Sequence, residues 1–270
     1  MSIPEFYAEP AEPVRKPVEP YGFIGLVLTT VLICLLGLLI MAILLGAMAF
    51  GWIFTSGTGP LLAAMNDVSG LDIYKIKEAS WVAQMTFYVV LAASFIGFGL
   101  AVLAFARLRG GAQWRDPIAW HRPAGWPARR HLWILAVAAL AYMLAAGFGI
   151  KLIYPSFKTW FFVPDGLAGL ALSLLTVVLL APWAEELFFR GWLFTSLRRS
   201  FGAWTGIALV TLIFALAHLD PTRLYPLLIF LPGLMLTLLR EHNESTKASF
   251  YGHAAYNFMA WFVLLVVGNS

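Results

Sequence analysis

From about residue 22 to residue 267 the chain alternates between long apolar runs and short polar ones. Seven apolar runs stand out, at about 22–54, 81–106, 132–154, 167–197, 201–219, 224–240 and 250–267. A helix needs about 20 apolar residues, range about 17–25, to cross the hydrocarbon core. The first and fourth runs exceed this and must tilt, break or project; the last three sit at the short end. Hydrocarbon offers no hydrogen bonds to the backbone, so every run is expected to be helical. The pattern predicts an all-α, polytopic transmembrane bundle of about seven spans.

Composition agrees with that reading. Of 270 residues, 61% are hydrophobic and 12% charged, against about 45–50% and about 25% in a soluble domain. Residues 1–20, rich in proline and glutamate, cannot bury a core and are expected to form a flexible tail. Because those residues are not the short basic region of a cleaved signal, the first span is expected in the mature chain. Residues 21–160 then hold the N-terminal membrane helices with a basic loop at 107–131, and 161–270 hold the remaining spans. The single cysteine, Cys34, excludes an internal disulfide.

Charge orients the bundle. Arg15, Lys16, Arg107, Arg109, Arg115, Arg122, Arg129, Arg130, Arg198, Arg199, Arg240 and Lys247 fall in one set of alternate loops. Lys75, Lys77, Lys158 and Arg223 fall in the other, which is twelve against four. The positive-inside rule places the N-terminus in the cytoplasm. The 107–131 loop also contains Trp114, Trp120 and Trp126. Basic residues interleaved with tryptophan suit lipid headgroups, so membrane lipids rather than nucleic acid are the expected partner.

Against this apolar background a few polar side chains are expensive. Glu185, Glu186 and Arg190 lie in the fourth run, His218 in the fifth, and His253 and Asn257 in the seventh. A charged side chain at the bilayer centre costs about 2.5–3.5 kcal/mol on insertion scales, which makes such residues candidates for function. Glu186 and Arg190 are spaced i, i+4 and can pair, whereas Glu185 points about 100° away. His253 and Asn257 share a face, as do Phe214 and His218. Pro182, just before the glutamates, frees a backbone carbonyl and can kink the helix.

Depth is less consistent. Counting about 1.5 Å per residue from the basic ends puts the glutamates about 18 Å deep, His218 about 25 Å, His253 about 9 Å and Asn257 about 15 Å. Tilt, or a break near Gly191, is needed to bring them together. Such a set supports water activation and oxyanion stabilisation: a glutamate in an apolar cavity is desolvated and so strengthened as a base, a histidine can share its water, and Asn and His donors can face a carbonyl oxygen. No GxSxG motif is present, and Cys34 lies far off in the first run.

The stretches "EELFFR" (Glu185 to Arg190), "FALAH" (Phe214 to His218) and "HAAYN" (His253 to Asn257) resemble the EExxxR, FxxxH and HxxxN motifs of the CPBP family. This family comprises the type 2 CAAX prenyl proteases and the bacteriocin-processing or abortive-infection intramembrane proteases. Each motif alone is weak, but three in the family's order in separate apolar runs make a specific signal over about 167–260. The resemblance implies an intramembrane endopeptidase in a bacterial inner (cytoplasmic) membrane, acting on a peptide or lipidated-peptide substrate. It implies that Glu185 and His218 activate water, that His253 and Asn257 form the oxyanion site, and that Glu186, Arg190 and Phe214 support or position. No cofactor is expected. One Glu and two His could ligate zinc, as older descriptions of the family have it, but no HExxH helix is present and the metal-free glutamate peptidase is favoured. Two other classes stay open. One is a catalytically silent scaffold for another membrane complex, for which Glu186 and Arg190 would be only a packing pair. The other is a proton-coupled transporter, against which no repeated halves are found.

Overall fold

The computed structural model describes residues 23–56, 78–123, 162–218 and 225–267, with Gly59 and helical residues scattered between 137 and 152. Among the described residues every regular element is helical. In chain order they are α1 (Phe23–Ser56), α2 (Trp81–Gly110), α3 (Gly166–Phe201), α4 (Ala203–Leu216), α5 (Tyr225–His242) and α6 (Thr246–Val267).

Three stretches, Ile24–Phe54, Trp81–Gln113 and Gly166–Phe201, are long and apolar enough to cross a membrane, and Ala203–Leu216 is a shorter apolar helix. The expected count of seven spans is therefore met only in part. The fifth run shortens because Gly202, at φ 86°, ends α3 and Ala203 starts α4, which stops at Leu216. Fourteen residues make about 21 Å of helix, short of the roughly 30 Å core. Most of the third run, the 1–20 tail and loop residues 124–131 lie outside the described residues.

α1 buries only a narrow seam, including Leu26 and Ile33, and exposes Leu28, Val31, Leu35, Leu38 and Ile43. Such a surface suits lipid rather than water. Its seam fits α2 through small residues. A Cβ at Gly97 would stand 2.6 Å from Gly37 O and 2.9 Å from Met41 N, so the two backbones touch there. Ala93, Gly97 and Ala101 repeat at i+4 along the buried face of α2, the small-residue spacing that lets membrane helices approach closely.

The other side of α2 buttresses α3. The Trp183 ring fills the space where a Cβ at Gly99 would stand. Phe98 meets Phe188 at 4.8 Å between ring centroids, and Phe105 meets Trp192 at 6.3 Å. One apolar core thus runs across the sequence boundary at residue 160, from Leu26 and Val102 to Phe194 and Phe214.

The chain after α2 folds back against the core. A short 3-10 turn, Gly111–Gln113, and the turns beyond it lay Ile118, fully buried, against Gly191. The start of α6 clamps this segment: the Thr246 N–H donates to Ala119 O at 2.9 Å and Thr246 Oγ1 to Ile118 O at 2.7 Å. Trp114 and Trp120 pack against the core, with Lys247 over the Trp120 ring at 5.6 Å.

Candidate active site

α3 carries the acidic residues, and it is not a uniform α-helix. Two seven-residue stretches, Leu174–Leu180 and Leu187–Leu193, are π-helical, separated by the α-helical Ala181–Glu186. π stretches widen a helix locally and are frequent at functional sites. Between them Pro182 removes one donor, Glu185 and Glu186 occupy the end of the α segment, and Arg190 stands within the second π stretch.

Glu186 is completely buried and so is Arg190. Arg190 Nη1 donates to Glu186 Oε1 at 2.8 Å, Nη2 donates to Gly233 O at 2.9 Å, and the guanidinium lies 4.0 Å from the centre of the Phe214 ring. One arginine therefore ties α3 to α5 and α4. Space for it depends on Gly233, where an added Cβ would stand 2.8 Å from Phe214 Cδ1 and 3.7 Å from Arg190 Nη2.

α6 completes the arrangement. His253 Nδ1 lies 2.8 Å from Glu186 Oε1, and its Nε2 lies 3.8 Å from Glu185 Oε2. From α4's trailing turn, His218 Nε2 comes within 4.0 Å of the same Glu185 oxygen, while His218 Nδ1 is 2.7 Å from Phe214 O. Both imidazoles are thus anchored through Nδ1, by a carboxylate or a carbonyl that can only accept, so Nδ1 carries the proton. Both turn Nε2 toward Glu185. Glu185 stays partly open, at 17% side-chain exposure against 0% for Glu186. Adjacent glutamates have separate environments: one is locked in a dry ion pair, the other faces two histidines and stays partly exposed.

The structure thus brings together Glu185, Glu186, Arg190, Phe214, His218 and His253. The depths counted along straight helices do not keep them apart, because α3 is π-helical over two stretches and His218 lies beyond the end of α4. Asn257 is placed differently. Its Nδ2 donates to Val177 O at 2.8 Å, in the first π stretch, rather than to the acidic pair. Three contacts had no signal in the sequence reading: the Phe214 carbonyl on His218, the Gly233 carbonyl on Arg190, and His253 bridging both glutamates. The first two are backbone acceptors, which any residue could supply. The third follows from an imidazole having two nitrogens, which helix-face geometry on α3 does not reveal.

Residues 167–259, which contain every one of these side chains, match the family model for the type II CAAX prenyl endopeptidases, Rce1-like. This segment is a domain of the CPBP family. With its long apolar helices, the CPBP domain marks the chain as an integral membrane protein. Among curated proteins the chain is 31% identical over 113 residues to an Escherichia coli protein described as an uncharacterized 24.3 kDa protein, covering 40% of this chain and 52% of the relative. The chain thus spans about half the length of that relative. No solved structure matches it. The CPBP match begins at the start of α3 and reaches into α6, so α1 and α2 lie outside it.

Proposed function

We propose that the chain is an intramembrane endopeptidase in which Glu185 activates a water molecule for attack on a peptide carbonyl. The observation that carries this reading is the convergence of His218 Nε2 and His253 Nε2 on Glu185 Oε2, at 4.0 and 3.8 Å. These separations exceed a direct hydrogen bond and suit a bridging water. With Nδ1 protonated, His218 Nε2 is an acceptor, so a water here can give one hydrogen to it and one to Glu185. Its oxygen lone pair then faces outward for attack. Glu185 takes a water proton as the oxygen bonds to the carbonyl carbon, and returns it to the nitrogen as the C–N bond breaks, leaving a carboxylic acid and an amine.

His253 turns Nε2 toward the same side of Glu185, where an imidazolium would face the developing oxyanion. Its Nδ1–H is held by Glu186, so Nε2 donates only when the ring is doubly protonated. Glu186 holds the ring in place, as the carboxylate of a catalytic triad orients its imidazole. Arg190 in turn holds Glu186 in place through the 2.8 Å ion pair. The substrate class that fits a site opening from within a bundle is a peptide presented at the membrane, lipidated or not, with lipids as surroundings. The basic ends of α3 and α5 fit a cytoplasmic face, and the bacterial inner membrane is the proposed location.

The test is a comparison of membranes from cells making the wild-type chain or its Glu185→Ala variant. New peptide termini that appear only with the wild type support the peptidase. Identical termini at equal protein levels would leave the silent scaffold as the better reading.

No step of this scheme runs through a metal. Among the described residues no group of three or more His, Cys, Asp or Glu is arranged to hold a metal ion. Purified active protein is therefore expected to carry less than about 0.1 zinc per chain and to keep its rate in a chelator, as a water-activating carboxylate requires no Lewis acid. Stoichiometric zinc, lost together with activity, would overturn the scheme.

A further inference from the structure

The Ala181 N–H reaches back five residues to Thr176 O, closing the π register of Leu174–Leu180. The next donor in that register is residue 182, and its acceptor would be Val177 O. Residue 182 is proline, which has no N–H. Val177 O therefore has no intrahelical donor at this step. Asn257 of α6 occupies the gap, giving Nδ2–H to Val177 O at 2.8 Å. We infer that Asn257 is a positioning residue whose amide replaces the N–H that Pro182 lacks, and that this bond sets α6 against α3 so that His253 meets Glu185 and Glu186.

The geometry gives this bond leverage on the site. Glu185 and Glu186 follow Pro182 by three and four residues, and His253 precedes Asn257 by one helical turn. One turn further along α6, Trp261 Nε1 donates to Ser173 Oγ at 3.0 Å, and Ser173 precedes Val177 by one turn. Two side-chain bonds, one turn apart on both helices, thus fix α6 along α3. Of the two, only the Asn257 bond meets a carbonyl that the sequence itself has left without a donor. A part-buried backbone acceptor without a partner is costly in apolar surroundings, so the pairing is favoured. Neither member is dispensable while the other is present: the proline creates the open acceptor and the asparagine fills it.

This assignment rests on the proposed hydrolysis only for its catalytic consequence. A double-mutant cycle over Pro182→Ala and Asn257→Ala tests it, read by melting in detergent and by cleavage kinetics. Alanine at 182 restores an N–H that reaches Val177 O in π register, or frees Ala181 to do so in α register. Asn257→Ala alone is expected to lower the melting temperature by about 4 °C and to lower kcat by about tenfold with KM little changed, because misplacing a reacting group by about 1 Å is expensive. In the Pro182→Ala background the same substitution is expected to move the melting temperature by less than about 1 °C and kcat by less than about threefold. Equal losses in both backgrounds would overturn the inference and mark Asn257 as a group that contacts substrate. If the wild-type chain cleaves nothing, the hydrolytic reading fails, and the melting cycle still decides whether Asn257 replaces the missing N–H.

Discussion

Glu185→Gln is expected to leave the protein inserted and folded while lowering peptide cleavage by about 10²–10⁴-fold, the usual contribution of a general base. Glutamine keeps the shape of the side chain and can still hold a water, but its amide accepts no proton at the rate a carboxylate does. Structure should suffer little. Among the described residues Glu185 has no direct hydrogen bond, its nearest polar approaches being the two histidines at 3.8 and 4.0 Å, so its removal breaks no packed bond. Removing a carboxylate from an apolar surrounding is expected to leave the melting temperature unchanged or to raise it, since holding that charge there is unfavourable. The measurement is turnover of a membrane peptide beside a melting curve for the same preparation. Near-wild-type turnover would sink the assignment, whatever the melting curve shows.

The result also separates two kinds of information in the chain. Which polar side chains to watch was legible, because ionisable groups stand out against an apolar background: Glu185, Glu186, Arg190, His218 and His253 are the ones the structure gathers. That Glu186 pairs with Arg190 was legible too, since i, i+4 spacing survives the change from α to π register across those residues. How deep each residue sits was not. Depth counted along ideal helices assumes one rise per residue and one direction, and α3 breaks the first assumption twice. Asn257 shows the same limit from the other side. Its spacing from His253 suggested a shared task, yet its nearest partner is a backbone carbonyl on α3, and no side-chain pattern announces a carbonyl. The proline that opens that carbonyl was visible, but the π register that selects Val177 was not. The span count is met only in part among the described residues: in the fifth run hydropathy ran through Gly202, where the positive φ turns the chain and leaves the shorter Ala203–Leu216 helix.

Arg190→Ala is expected to act on both stability and activity, unlike Glu185→Gln. The arginine is wholly buried and serves three helices at once, through Glu186 on α3, Gly233 O on α5 and the Phe214 ring on α4. Deleting it breaks a buried ion pair and leaves Glu186 in a dry setting with the His253 imidazole as a remaining partner; breaking such a pair in soluble proteins costs about 3–5 kcal/mol. It also strips a donor from Gly233 O, although Thr237 Oγ1 still reaches that carbonyl at 2.8 Å. A loss of that size shifts a melting temperature by roughly 10 °C in a chain of this length. Activity should fall as well, because Glu186 holds His253 through Nδ1 at 2.8 Å and a freed Glu186 no longer has a fixed place. Arg190→Lys should recover part of the stability but little of the rate. An ammonium keeps the charge for Glu186, yet it lacks the planar fork that reaches Gly233 and the flat face that lies on Phe214. Melting curves and cleavage rates for both variants decide the matter. If Arg190→Ala melts like the wild type and loses activity alone, the arginine binds substrate rather than joining the helices, and Glu186 must draw its stability from some other partner.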